Sequence, residues 1–128
     1  MTESEPAPKY EVVFTEDAKS DVADLDGSIK NQLKKVCNKK LAVKPDEYGT
    51  PLRSILAGFW KHEFADHRVI YQIPPGEKDL VIVCAIGPRK AGDVEDIYNQ
   101  LDRVAKSGRL AEQVKAVLTD VFSTKRKK

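Results

Sequence analysis

Residues 58–73, from Gly58 through Phe59-Trp60-Lys61-His62-Glu63-Phe64-Ala65-Asp66-His67-Arg68-Val69-Ile70-Tyr71 to Ile73, carry the pattern that most limits what this chain can become. Two alternating runs meet at Ala65-Asp66. A two-residue turn there predicts a β-hairpin and sets its register. Glu63 then faces Arg68, and Lys61 faces Ile70. Because side chains alternate along a strand, one hairpin face holds Trp60, His62, Phe64, His67, Val69, Tyr71 and Ile73. The other holds Lys61, Glu63, Arg68 and Gln72, with Ile70 as its apolar member. The first face is made to bury. The second gathers charge on a rigid surface, and function is expected there.

The remaining segments supply what such a hairpin must pack against. Tyr10 to Phe14 is a short β-branched and aromatic run, a predicted strand. Thr15 follows as a helix cap, with Glu16 and Asp17 in the first turn and Ala18, Val22 and Leu25 on one face. Asp26-Gly27 breaks this helix, and Ser28 is placed to cap a second one. Its apolar positions Ile29, Leu33, Val36, Cys37 and Leu41 keep helical spacing. Lys30, Lys34, Lys35, Lys39 and Lys40 fall on the opposite side and read as a solvated face.

Pro45 should end this helix, leaving Lys44 to Pro51 as a polar connection. Leu52 to Leu56 is a predicted strand, and residues 74–79 a surface turn. Leu80 to Ile86 is apolar on both faces, which places it inside the sheet. Beyond the loop 87–92, Asp93 caps a predicted helix to about Lys106, and a fourth amphipathic helix follows from Arg109 to Phe122.

The element order, strand, two helices, about four strands, two helices, is that of an α+β domain. The expected sheet is antiparallel, with four to five strands. The helical hairpin covers one of its faces, and the polar side of the central hairpin lies on the other. Residues 1–9 read as a flexible tail rather than a signal peptide, 10–122 as a single domain, and 123–128 as a basic tail.

Composition narrows the function classes. The chain has 128 residues and a formal net charge of +2, which permits nucleic-acid binding without arguing for it. No apolar run reaches membrane-spanning length. Cys37 and Cys84 fall at apolar positions with no metal spacing, as expected of reduced, buried thiols in the cytoplasm. There is no glycine-rich phosphate loop, no histidine pair at metal spacing and no nucleophile elbow. No metal or cofactor is expected. Both His62 and His67 fall on the apolar face, where packing is their default role.

What remains is a basic group: Lys61 and Arg68 on the hairpin, Arg53 on the preceding strand, and Arg89 and Lys90 just past the last strand. Tyr98 lies near the start of the third helix. Such residues can bind phosphate, arginine as a bidentate fork and lysine as a point charge. If that phosphate belonged to RNA, the arginines would stabilise charge developing at phosphorus. A lysine crowded by arginines would serve as a base. The plain alternative is a surface hairpin whose Glu63–Arg68 pair contributes well under ~1 kcal/mol.

Pro51-Leu52, Gly58-Phe59-Trp60-Lys61, Asp66-His67-Arg68-Val69-Ile70-Tyr71 and the strand-ending Ile86-Gly87-Pro88-Arg89 resemble the RelE/ParE superfamily of toxins from bacterial and archaeal toxin–antitoxin systems. The resemblance spans roughly residues 10–101. RelE-like members are ribosome-dependent endoribonucleases that cut mRNA in the ribosomal A site. They need no metal, and the 2′-hydroxyl attacks the adjacent phosphate. ParE-like members share the fold, lack that constellation and act on DNA gyrase. A third branch, typified by YoeB, uses a glutamate base and a histidine near the C-terminus. In all three a cognate antitoxin wraps and neutralises the toxin.

The resemblance implies catalytic roles for Lys61, Arg68 and Arg89, with Tyr98 stacking on an mRNA base. RNA binding would engage Arg53, Lys61, Arg68, Arg89 and Lys90. The departures are specific. Glu63 stands at a position that is usually basic, where it would modulate Arg68. Phe59 replaces a second catalytic lysine, and Ala65 replaces the usual turn glycine. Thr50, not a glutamate, precedes Pro51-Leu52, and no histidine lies near the C-terminus, both against the YoeB mechanism. A degenerate, non-toxic member of the fold is therefore a third expectation. The helix Arg109 to Phe122 extends past the usual family length.

Overall fold

The computed structural model describes residues 9–52, 58–74, 79–88 and 108–126. The first strand, β1 (Glu11–Phe14), leads directly into helix α1 (Glu16–Ala23). Thr15 makes the junction: its hydroxyl accepts from the Ala18 amide at 3.2 Å, and its own amide donates to the Val83 carbonyl at 3.0 Å. Helix α2 (Gly27–Val36) follows. Its cap is Asp26, whose carboxylate accepts from the Ile29 amide at 3.0 Å, while Ser28 donates its hydroxyl to the same oxygen. This corrects the expected Ser28 cap: the longer side chain two residues earlier reaches the third amide of the helix.

The helix then widens into a π-turn over Cys37–Leu41, closed by the Ala42 amide donating to the Cys37 carbonyl at 2.9 Å. Cys37 and Leu41, at the two ends of the turn, are both buried. Pro45 does more than end this run. It occupies the first turn of a short helix, α3 (Pro45–Tyr48), where its missing amide costs nothing. Strand β2 (Thr50–Pro51) comes next, inside what read as a polar connection. It precedes the expected strand Leu52 to Leu56, of which 53–56 lie outside the described residues.

Strands β3 (Phe59–Phe64) and β4 (His67–Gln72) form the central hairpin, and β5 (Leu80–Pro88) completes a five-stranded sheet in the order β1-β5-β4-β3-β2. The pairings from β5 to β2 are antiparallel, as expected, but β1 joins β5 in parallel, Glu11 beside Leu80 and Phe14 beside Val83. A strand that feeds straight into a helix needs no hairpin partner, so no turn in the sequence marks its direction. The expected helix from Asp93 lies outside the described residues. The last helix, α4 (Arg109–Arg126), runs past the Phe122 end expected from its apolar spacing.

The sheet has two buried faces. On the first, Ala18, Leu33, Val36, Cys37 and Leu41 of the helical layer meet Val69, Tyr71, Val81, Val83 and Ile86. On the second, Leu110 of α4 meets Ile70, Leu80, Ile82, Cys84 and Ala85, with Phe59, Val114 and Leu118 packed alongside. Strand β5 serves both faces, and a bulge sets how. Ile70 pairs with Ala85 but Tyr71 pairs with Val83, so Cys84 is the extra residue. Both thiols sit in apolar surroundings, and burial pushes Cys37 up to about 11 and Cys84 to about 12.

Two polar contacts lock the layers. The Tyr71 hydroxyl, fully buried, donates to the Pro45 carbonyl at 2.6 Å. A side chain at Gly49 would collide with that hydroxyl, so glycine is the residue this crossing admits. Beyond the end of β1, the Ile86 amide donates to Asp21 at 3.0 Å, so a carboxylate takes over where the parallel strand stops. Burial raises the Asp21 carboxyl above its ordinary value, and this hydrogen bond offsets part of the rise.

Candidate functional site

The hairpin forms as its sequence dictates. Ala65 and Asp66 take the left-handed conformation, with φ of 47° and 61°, the pair of values a two-residue turn between twisted strands demands. The register follows: Glu63 lies across from Arg68, Lys61 from Ile70, and Phe64 from His67.

Lys61 and Glu63 are two apart on β3 and so share a face. The Lys61 ammonium lies 3.6 Å from Glu63 Oε2, and Arg68 Nε donates to the same oxygen at 3.2 Å. One carboxylate oxygen thus holds both cations. The side chains differ in access: Lys61 is 29% exposed, Glu63 36% and Arg68 8%. The low exposure of Arg68 corrects the expectation of an open charged surface. The arginine sits between β3 and β5, with Gly87 as its partner on β5. Among the described residues, Lys61 and Arg68 share one carboxylate.

Gly87 precedes Arg89 by two residues, but Arg89 itself, like Arg53, Lys90 and Tyr98, lies outside the described residues. Of the sequence-derived group, the structure therefore brings together Lys61, Arg68 and Glu63. The histidines bond elsewhere through Nδ1. His62 points its Nδ1 at the Tyr48 carbonyl, 3.0 Å away, and His67 points its own at the Ala65 carbonyl, 2.9 Å away. His62 Nε2 is buried without a hydrogen-bond partner among the described residues.

Two features escape sequence reasoning. A cavity of about 210 Å³ opens on the outer edge of β3, lined by Tyr48, Thr50, Lys61, His62 and Glu63. It lies beside β2, whose length of two residues no periodicity reveals. The second feature is the anchoring of α4. Arg109 pairs with Asp17 at 2.6 Å, and Gln113 accepts from the Asp17 amide at 3.2 Å. A carboxamide from the last helix thereby satisfies an amide in the first turn of α1. Residues 92 and 96 apart in sequence offer no local signal of this. A cleft of about 730 Å³ separates the same two helices. No group of three or more histidine, cysteine, aspartate or glutamate side chains is gathered for a metal among the described residues.

Residues 12–93 match the family model of the ParE toxin of the type II toxin–antitoxin system parDE. That is well over half of the chain. The chain belongs to the ParE toxin family. It is a type II toxin–antitoxin toxin of the RelE/ParE superfamily. Solved structures agree with this. The toxin–antitoxin complex RelBE2 from Mycobacterium tuberculosis contains a chain 29% identical to this one, with a TM-score of 0.59 over 65% of this chain and 100% of that one. In the intact Escherichia coli RelBE toxin–antitoxin complex the identity is 26% and the TM-score 0.53, covering 63% of this chain and 98% of that one. The isolated E. coli RelE toxin shares the fold at 24% identity and a TM-score of 0.55, over 73% of this chain and 96% of the other. No curated protein matches the chain. No helix among the described residues is long and apolar enough to cross a membrane.

Proposed function

We propose that this toxin is a RelE-like, ribosome-dependent mRNA endoribonuclease that halts translation without a metal ion. The observation that carries this reading is the placement of Lys61 and Arg68 on one rigid hairpin face, both within 3.6 Å of a single oxygen. Two cations that close can hold one phosphodiester between them. The 2′-oxygen attacks phosphorus, the bond to the 5′-oxygen breaks, and a cyclic phosphate and a 5′-hydroxyl result. Lys61, once its own proton has passed to solvent, takes the proton of the 2′-hydroxyl as a neutral amine, and solvent supplies the proton that the 5′-oxygen gains as it leaves. Arg68 and Arg89 balance charge on the phosphoryl and leaving oxygens. Tyr98 stacks on a base, and Arg53 and Lys90 hold neighbouring phosphates. A cognate antitoxin neutralises the toxin in the cytoplasm.

The second reading is a non-catalytic, gyrase-directed toxin. It is favoured by the ParE family match and by the carboxylate between the two cations. Inducing the protein in a bacterium and mapping mRNA 5′ ends separates the two. Codon-phased cuts support the nuclease. Intact mRNA with induction of the DNA-damage response supports the gyrase reading. For the nuclease, Arg68→Ala and Arg89→Ala should each lower cleavage about a hundredfold, the usual effect of removing one donor to a transition-state oxyanion. A fully toxic variant of either kind sinks the assignment.

A further inference from the structure

Glu63 is the member of the Lys61–Glu63–Arg68 group that a phosphate-binding site does not need. Its Oε2 lies 3.6 Å from the Lys61 ammonium and 3.2 Å from Arg68 Nε. An oxygen anion that bridges a lysine and an arginine at such distances occupies the position a phosphoryl oxygen would take. Glu63 is also the most exposed of the three side chains, at 36% against 8% for Arg68. An incoming phosphate therefore meets the carboxylate before it meets the guanidinium. The two negative charges cannot share the place without repulsion.

We propose that Glu63 is a built-in competitor for the anion site formed by Lys61 and Arg68, so that nucleic-acid phosphate binds only by displacing it. The proposal rests on reading Lys61 and Arg68 as a phosphate site. It adds that the site is held closed by an internal anion. Displacement is feasible because β2 pairs with Trp60 and Lys61 and does not reach Glu63, and the cavity beside Lys61 and Glu63 leaves the carboxylate room to swing outward. A phosphodiester held at several points by a longer RNA can drive that swing. A lone phosphate ion does so weakly.

The test is equilibrium binding to the purified full chain, with an RNA oligonucleotide made uncleavable by 2′-deoxy substitution and with inorganic phosphate as separate probes. Glu63→Gln keeps an oxygen that can accept from Arg68 and removes the charge. It should bind both probes about five- to tenfold more tightly than wild type. The gain should vanish in Glu63→Gln combined with Arg68→Ala. Equal or weaker oligonucleotide binding by Glu63→Gln overturns the proposal, and so does a gain confined to inorganic phosphate. If the glutamine variant does not fold, Glu63→Asp, which draws the carboxylate back by one methylene, should shift binding in the same direction by a smaller factor. No shift there overturns the proposal equally. mRNA cleavage is assayed alongside. Tighter binding without cleavage by any form leaves the competitor intact and defeats the nuclease reading. Cleavage that depends on Lys61 and Arg68, with no tightening in Glu63→Gln, does the reverse.

Discussion

The two faces of the sheet are covered in different ways. The first is closed by α1, α2 and the π-turn, which follow β1 without a break and lock down through Thr15, Asp21 and Tyr71. The second is covered at one end by α4, a helix arriving from the far end of the chain and pinned by Arg109 and Gln113 to Asp17. At the hairpin-turn end of that same face stand Lys61, Glu63 and Arg68. The two faces thus share the residues of one strand, β5. Among the described residues the first face is closed by helices, and the second, which carries the candidate site, is covered in part.

The sharpest way to break this contrast is a pair of cavity mutations. Leu41→Ala, at a fully buried position on the first face, should cost about 3 kcal/mol. Leu110→Ala on the second should cost nearer ~2 kcal/mol, because a helix with fewer ties can settle into the gap. Chemical denaturation measures both, and equal costs would show the faces to be equally tight. Next in size is Thr15→Ala. It removes the cap on α1 and the hydroxyl contact to the bulge carbonyl of Cys84, for about 1–2 kcal/mol in a thermal melt.

Arg109→Ala should have a smaller effect, below ~1 kcal/mol, because its side chain is 62% exposed and salt screens the pair with Asp17. Amide exchange should nonetheless quicken in α4 while α2 is unchanged. Quickening in both would tie the two helices into one cooperative unit. The smallest expected effect is on pH dependence. Asp21 has a raised carboxyl value when folded. The stability it contributes is therefore present below its ordinary value of 3.8 and is lost as pH rises through the folded one. The stability of wild type relative to Asp21→Asn should accordingly fall as pH rises through that window. An unchanged difference would mean that the Ile86 hydrogen bond cancels the cost of burial.

Much of this was legible in the residues, for reasons that are local. The hairpin register came from a two-residue turn, and it placed Lys61, Glu63 and Arg68 on one face without any knowledge of the fold. The apolar run of β5 told its interior position, and the capping of α1 by Thr15 needed only its neighbours. Where reading failed, the cause was a break in periodicity or a distant partner. The π-turn inserts one residue into a helical repeat, the bulge at Cys84 does the same to a strand, and Pro45 reads equally as an end or a beginning.

What the sequence determined by itself is the alternation: which side chains share a face, and so that two cations and a carboxylate stand together. Backbone geometry alone dictates that, since a strand repeats every two residues. What only the tertiary structure decided is how those charges are housed. Arg68 is buried on β4, between Glu63 of β3 and Gly87 of β5. Glu63 keeps its exposure because β2 stops short. Burial depends on which strands flank the hairpin and how far they run, and those are set by contacts between parts of the chain that are remote in sequence.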